Sequence, residues 1–331
     1  MKHLTGPVNY LLTAVLMIAA LPSLTWASTI LVDDDNKIYS FAVGTVPNPP
    51  PPAQPYTVFS QNGGSSVSAM AVTYNDAAIP SSPYEVLVAS GSSVYAYSSV
   101  GVQSTFISGV NPVGLAIDGS GNVYTAAAYG TTVNEYGPTG SYLKTITGAP
   151  GGDLIDSLLA DSSGDLYVAD NHTRTITEYL AAGGTKTIAT GLNGNNLDGM
   201  AFDDNGDLFV SYLNLTANTG GGIFEITPAG TVTTFYSSSS LYPTGLAFDF
   251  SGDLYLLYTN SPSAPGGGIE DFSGQASGTP SSTVNSFATG LYEPAGIVQL
   301  TPEPGTTLLL TGGLIGLGIF QGRRLKRPSQ N

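Results

Sequence analysis

Four segments of this chain align closely, and their spacing leaves few folds open. They are Gly114-Leu115-Ala116-Ile117-Asp118 followed by Gly121-Asn122-Val123-Tyr124; Leu158-Leu159-Ala160-Asp161 followed by Gly164-Asp165-Leu166-Tyr167; Gly199-Met200-Ala201-Phe202-Asp203 followed by Gly206-Asp207-Leu208-Phe209; and Gly245-Leu246-Ala247-Phe248-Asp249 followed by Gly252-Asp253-Leu254-Tyr255. A more divergent copy is Ala69-Met70-Ala71-Val72-Thr73, followed by Glu85-Val86-Leu87-Val88. The period is ~42–46 residues, in the range of propeller blades rather than leucine-rich or helical repeats.

Each copy reads as four short strands. In the fourth blade these are Leu158 to Asp161, Leu166 to Ala169, Thr175 to Tyr179 and Lys186 to Ala189. Asp-x-x-Gly-Asp joins the first two as a hairpin turn, where glycine readily takes positive φ. Small residues on the first strand suit a crowded axis, and Tyr or Phe on the second would fill the space between sheets. The N-terminal segments Ile30 to Asp33, Lys37 to Phe41 and Tyr56 to Phe59 match strands two, three and four. Pro294 to Leu300 matches a first strand with nothing after it. The expected fold is all-β: a six-bladed β-propeller with 3+1 strand closure between its ends, which removes exposed edges. A seven-bladed ring is the alternative count.

Both ends of the chain read as export signals. Lys2 and His3 precede an apolar run from Leu11 to Leu21, and Thr25-Trp26-Ala27 puts small residues where a signal peptidase reads, so a signal helix spans 1–27 with cleavage after Ala27. At the other end Pro302-Glu303-Pro304 precedes an apolar run from Thr306 to Phe320, then Arg323, Arg324, Lys326 and Arg327. The basic cluster suits a cytoplasmic stop after a membrane helix. This three-part tail, residues 301–331, resembles the PEP-CTERM sorting signal of Gram-negative bacteria that build extracellular polysaccharide. The resemblance implies an exosortase-type protease cutting at the motif, a membrane-tethered precursor, and a product on the cell surface or in the biofilm matrix. The propeller, 28–300, would end immediately before the cut.

Charge narrows the partners. Removing both signals takes five of the nine basic residues and one of the 24 acidic ones. Four basic residues then face 23 acidic ones, a net charge of −19. Such a surface repels phosphate backbones, which argues against nucleic acid. With no cysteine, thiol catalysis, zinc–thiolate sites and disulfides are excluded.

Asp165 to Ile176, with its Asn171-His172 turn, resembles an NHL blade, and residues 65–300 resemble the NHL and gluconolactonase-like six-bladed propellers. That likeness puts ligand sites at the mouth of the central channel, just before each first strand: Ser68, Val113, Asp156, Asp198, Thr244 and Ala295, with Asn111 and Glu293 nearby. Asp156 and Asp198 are the candidate metal residues, since carboxylates suit Ca²⁺. The lactonase set is a Glu, two Asn and an Asp, whereas Val113 here occupies a ligand position. His172 has the chemistry of a general base, as in the streptogramin lyases, but sits in the structural turn. Tyr129, Tyr212, Tyr242 and Tyr292 are candidates to stack on sugar rings or to pack between blades. The leading expectation is a non-enzymatic propeller binding polysaccharide or envelope protein. The alternative is a metal-dependent lactonase or lyase-like enzyme working in the channel.

Overall fold

Successive side chains of a strand point to opposite faces, and the second strand of each repeat is mostly apolar on both. Such a strand needs a partner on both faces, and in this protein it has one. The computed structural model describes residues 28–34, 37–43, 57–61, 67–73, 84–127, 130–146, 155–193, 196–214, 219–249, 252–261, 266–272, 284–292 and 294–300. The signal helix, the sorting tail with its membrane helix and the proline-rich stretch 46–55 lie outside the described residues.

The described residues form 24 strands in six four-stranded antiparallel sheets. Blade 1 holds β1 (Ser28–Asp34), β2 (Lys37–Val43) and β3 (Thr57–Gln61), with β24 (Pro294–Leu300) beside β1. Blade 2 runs from β4 (Val67–Thr73) through β5 (Glu85–Ser90) and β6 (Ser93–Ser98) to β7 (Gln103–Ser108). Blade 3 is β8 (Pro112–Ile117), β9 (Val123–Ala127), β10 (Val133–Tyr136) and β11 (Tyr142–Ile146). Blade 4 is β12 (Ile155–Ala160), β13 (Leu166–Asp170), β14 (Thr175–Tyr179) and β15 (Thr185–Ala189). Blade 5 is β16 (Asn196–Phe202), β17 (Leu208–Leu213), β18 (Gly221–Ile226) and β19 (Val232–Ser238). Blade 6 is β20 (Tyr242–Phe248), β21 (Leu254–Thr259), β22 (Gly267–Asp271) and β23 (Asn285–Leu291). The inner strands β4, β8, β12, β16, β20 and β24 touch in that order, and β24 touches β4. The fold is a six-bladed β-propeller.

Six apolar clusters fill the six spaces between neighbouring blades. In β13 the alternation is direct: Leu166 and Val168 pack toward blade 3, while Tyr167 and Ala169 pack toward blade 5. The Phe of the repeated Ala-Phe-Asp reaches the aromatic residue of the preceding blade. Tyr167 meets Phe202 edge to face at 4.9 Å, and Phe209 meets Phe248 at 5.1 Å.

The Asp-x-x-Gly-Asp segments are turn devices. Asp161 Oδ1 accepts the backbone N–H of Ser163 (2.8 Å) and Asp165 (2.9 Å), and Gly164 takes φ of +86°. Asp118 and Asp203 cap the equivalent turns in the same way. Five of the six inner strands begin earlier than the aligned segments, and β24 has the expected bounds. β12 begins at Ile155 rather than Leu158, because the ladder continues past a bulge.

Buried tyrosines give the ring a pH limit. Burial first, then neighbouring Tyr95 and Asp33, push the Tyr97 hydroxyl up to about 12. Burial and Glu270 push Tyr258 up to about 12. Burial likewise raises Tyr124, Tyr167 and Tyr255, each beside carboxylates. A hydroxyl raised in the fold above its unfolded value near 10 stabilises the fold fully below pH 10. That contribution is lost as pH rises through the folded values. The denaturation midpoint is expected to be level from pH 7 to 9 and to fall between pH 10 and 12, as fluorescence-monitored urea titrations would read.

Candidate functional site

Every inner strand carries a bulge, and the bulges set the channel mouth. Val67 pairs with Ser90 and Ala69 with Ala89, leaving Ser68 as the extra residue. The same irregularity leaves out Val113 in β8, Asp156 in β12 and Thr244 in β20. In β16 it spans Asp198 and Gly199, and in β24 it spans Ala295 and Gly296. A bulge disrupts the ladder locally and re-aims a side chain. The mouth residues therefore lie within the inner strands, not before them. In β16 the Gly199 N–H displaced from the ladder donates to the buried Ser211 Oγ at 2.7 Å.

Ser68, Val113, Asp198, Thr244 and Ala295 line one cavity of about 90 Å³ at the axis. Asp156 occupies the matching position of β12, but its side chain lies outside the described residues, as does Glu293. Beneath the mouth comes a layer of small residues, Ala69, Gly114, Ser157, Gly199, Gly245 and Gly296. A Cβ on Gly199 would stand 2.7 Å from the Gly245 Cα, so the blades converge here only because side chains are missing. The next layer is Met70, Leu115, Leu158, Met200, Leu246 and Ile297, all buried. These six apolar side chains floor the cavity.

The described mouth is a poor cation cage. Val113 and Ala295 offer no side-chain ligand atom, and Ser68 and Thr244 offer neutral hydroxyls. Among the described residues no group of three or more His, Cys, Asp or Glu could hold a metal ion. Among the described side chains of the mouth only Asp198 offers a carboxylate, and one carboxylate with two hydroxyls is a weak set for a divalent cation. Asn111 is exposed at φ of +41° and does not line the cavity.

His172 is exposed in the β13–β14 turn and does not line the channel cavity. Its neighbour Asn171 links two blades. Asn171 Oδ1 accepts the Leu197 N–H at 2.6 Å, and its Nδ2 donates to Asn196 Oδ1 at 2.9 Å. Asn171→Ala would leave the buried Leu197 N–H without this acceptor, at a cost of about 1–3 kcal/mol. His172→Ala is expected within about 0.5 kcal/mol of the parent, as for surface substitutions generally. Chemical denaturation of the two variants would check both values.

Two of the four aromatic candidates are buried. Tyr212 stacks on Phe224 at 4.2 Å and 17°, and Tyr242 is also in the core. Tyr292 is 50% exposed, and Tyr129 lies outside the described residues.

A larger cavity, about 500 Å³, opens between blades 3 and 4. Asp118, Asn122, Glu135, Lys144, Tyr179 and Leu180 are among its lining. Asp118 Oδ2 accepts from Asn122 Nδ2 (2.9 Å) and Tyr124 Oη (3.1 Å). Lys144 Nζ stands 3.1 Å from Glu135 Oε2. Burial, then Asp118 and Glu135, raise the Tyr124 hydroxyl, so it stays a proton donor. The sequence signal for this arrangement is a Glu at one register of the third strand, paired across to an aromatic residue. Glu135 faces Tyr124, Glu178 faces Tyr167, and Glu225 faces Phe209.

The geometry can be set beside known proteins. The fold matches a chain of a nidogen/laminin complex, with TM-score 0.59 and 14% identity over 83% of this chain and 98% of that one. It also matches a catalytically inactive virginiamycin B lyase from Staphylococcus aureus with quinupristin, at TM-score 0.54 and 13% identity, over 83% and 90% of the two chains. A streptogramin B lyase gives TM-score 0.55 and 12% identity over 84% and 89%. The likeness is one of fold alone. Neither a family model nor a curated protein matches the sequence.

Proposed function

We propose that this chain is an exported propeller that binds or organises polysaccharide or protein at the cell envelope, without catalysing a reaction. One observation carries the reading. The channel cavity is small, about 90 Å³, and an apolar layer floors it. The cavity of about 500 Å³ lies between blades instead, within the ~300–1,000 Å³ usual for ligand sites.

Export rests on the sequence: a signal segment cleaved after Ala27 and a PEP-CTERM-like tail cut at Pro302-Glu303-Pro304 by an exosortase-type protease. Arg323, Arg324, Lys326 and Arg327 would stop the tail in the membrane until then, and the product would reach the surface or matrix of a Gram-negative cell. The pairing of Thr29 with Leu300 supports processing that leaves the ring whole. Both removed segments would depart from neighbouring strands of one blade. The same pairing supports a 3+1 closure, in which β24 clasps the ring by completing blade 1.

A second reading, a metal-dependent lactonase or lyase-like enzyme, is favoured by the equivalent bulge positions of Asp156 and Asp198 on adjacent inner strands. Metal analysis of the purified chain together with a lactone-hydrolysis assay separates the two. Binding without catalysis predicts no turnover and no stoichiometric Ca²⁺. Turnover and bound Ca²⁺, both lost in Asp198→Asn, would establish the enzyme.

A further inference from the structure

We propose that the cleft between blades 3 and 4 is a binding site for neutral sugar rings. This rests on the binding reading above and assigns it a place and a ligand class.

The chemistry of the lining excludes other classes in turn. Asp118 and Glu135 are both buried, and the one lysine of the lining, Lys144, pairs with Glu135, so an anionic ligand would meet net negative charge at short range. A cation fares no better. Asp118 already accepts four hydrogen bonds, from the backbone of Ser120 and Asn122 and the side chains of Asn122 and Tyr124. The Lys144 ammonium occupies the outer side of Glu135. An apolar ligand would cover the Glu135 carboxylate and the Lys144 ammonium and strip both of water. What remains is a neutral molecule dense in hydroxyl groups.

A sugar ring fits what the cleft offers. The Glu135–Lys144 pair sets an acceptor beside a donor at 3.1 Å, and a vicinal diol presents the complementary donor and acceptor at comparable spacing. Charge-assisted bonds of this kind are the stronger sort. The Asp118 network fixes Asn122 and Tyr124 before any ligand arrives, so little ordering cost falls on binding. Tyr179 and Leu180 add an apolar wall, which the C–H face of a pyranose could cover. Beside the cleft, β11 carries a chain of hydroxyls on the solvent side, where Tyr142 Oη lies 2.8 Å from Thr145 Oγ1 and Thr145 donates to Asn134 Oδ1 at 2.7 Å. That surface would extend the site along a polymer.

The test is a calorimetric titration of the purified full chain with cellobiose, maltose and lactose, and with digalacturonate as the anionic counterpart. Saturable binding of at least one neutral disaccharide is expected, with digalacturonate at least tenfold weaker. Glu135→Gln should weaken binding about tenfold or more, the scale of one lost charge-assisted bond. Lys144→Met, at a side chain 61% exposed, tests the same pair from its solvent-facing partner and should weaken binding similarly, with circular dichroism confirming that the variant is folded. Asp198→Asn should leave the affinity unchanged. Retention of the chain on the cells' own polysaccharide is measured alongside. If retention persists but no disaccharide binds, or both cleft variants bind as the parent does, the sugar site is overturned while the binding reading stands. If protease treatment of the polysaccharide abolishes retention, the ligand is a protein and the sugar site is overturned. If nothing is retained at all, the binding reading fails and the site with it.

Discussion

Gly199→Val is expected to abolish soluble folding, and Gly199→Ala to lower the melting temperature by several degrees. A Cβ at this position would lie 2.7 Å from both the Gly245 Cα and the Leu246 N. Those are backbone atoms of the adjoining inner strand, and they cannot rotate away as a side-chain tip could. Relief requires two blades to separate at the axis, where Gly245 and Gly296 stand in the same tight layer. Overpacking by one methyl costs about 1–3 kcal/mol. At ~2–4 °C per kcal/mol for a chain of this size, the alanine variant should melt about 2–12 °C lower. Valine adds two more carbons at the same spot and exceeds what the ring can yield. Ser163→Ala, on an exposed turn, should melt within about 2 °C of the parent. Differential scanning calorimetry of the three variants would decide, and a Gly199→Val protein that melts like the parent would refute the wedge argument.

Residues 28–300 should fold cooperatively, whereas residues 28–293 should not. The seven residues of β24 are the only difference in blade 1. Without them β1 becomes a bare inner edge, and Ile30, Leu31 and Val32, all fully buried, lose a covering strand. Ile297 would leave both the blade 6–blade 1 cluster and the channel floor. An unpaired inner edge of this kind is a template for aggregation. Sedimentation velocity and circular dichroism of the two fragments read the difference. A monomeric, cooperatively melting 28–293 fragment would show that the ring does not need its clasp.

The repeats made the architecture legible because every blade repeats one solution to one packing problem. Small residues before the Asp turn, an apolar strand after it and an aromatic at its second position point to sheets meeting at an axis. The lengths of the inner strands were hidden, because a bulge at Asp156 or Thr244 leaves no mark in residue type. Of the two roles open to Tyr212, stacking on a ligand or packing inside, the structure shows the second. Gly220-Gly221-Gly222 looks like a loop, yet Gly221 and Gly222 are strand residues, and a Cβ on Gly222 would stand 2.7 Å from the Tyr212 hydroxyl. The glycine makes room for the ring of its cross-strand partner. Tyr258 lies against Gly268 in the same manner. Ser68, Val113, Asp198, Thr244 and Ala295, which the repeat aligns, line the cavity at the axis, but residue type says nothing of how wide that cavity is. The cleft went unseen because it joins residues of two blades. Asp118 and Lys144 belong to one repeat, while Tyr179 and Leu180 belong to the next.

In the proposed function the propeller binds through its flank and does no chemistry in its channel. Retention on the cells' own polysaccharide, measured for the parent, Asp198→Asn and Glu135→Gln side by side, tests it most directly. The parent and Asp198→Asn should be retained equally, and Glu135→Gln should elute early. Loss of retention in Asp198→Asn, with Glu135→Gln behaving as the parent, would contradict it.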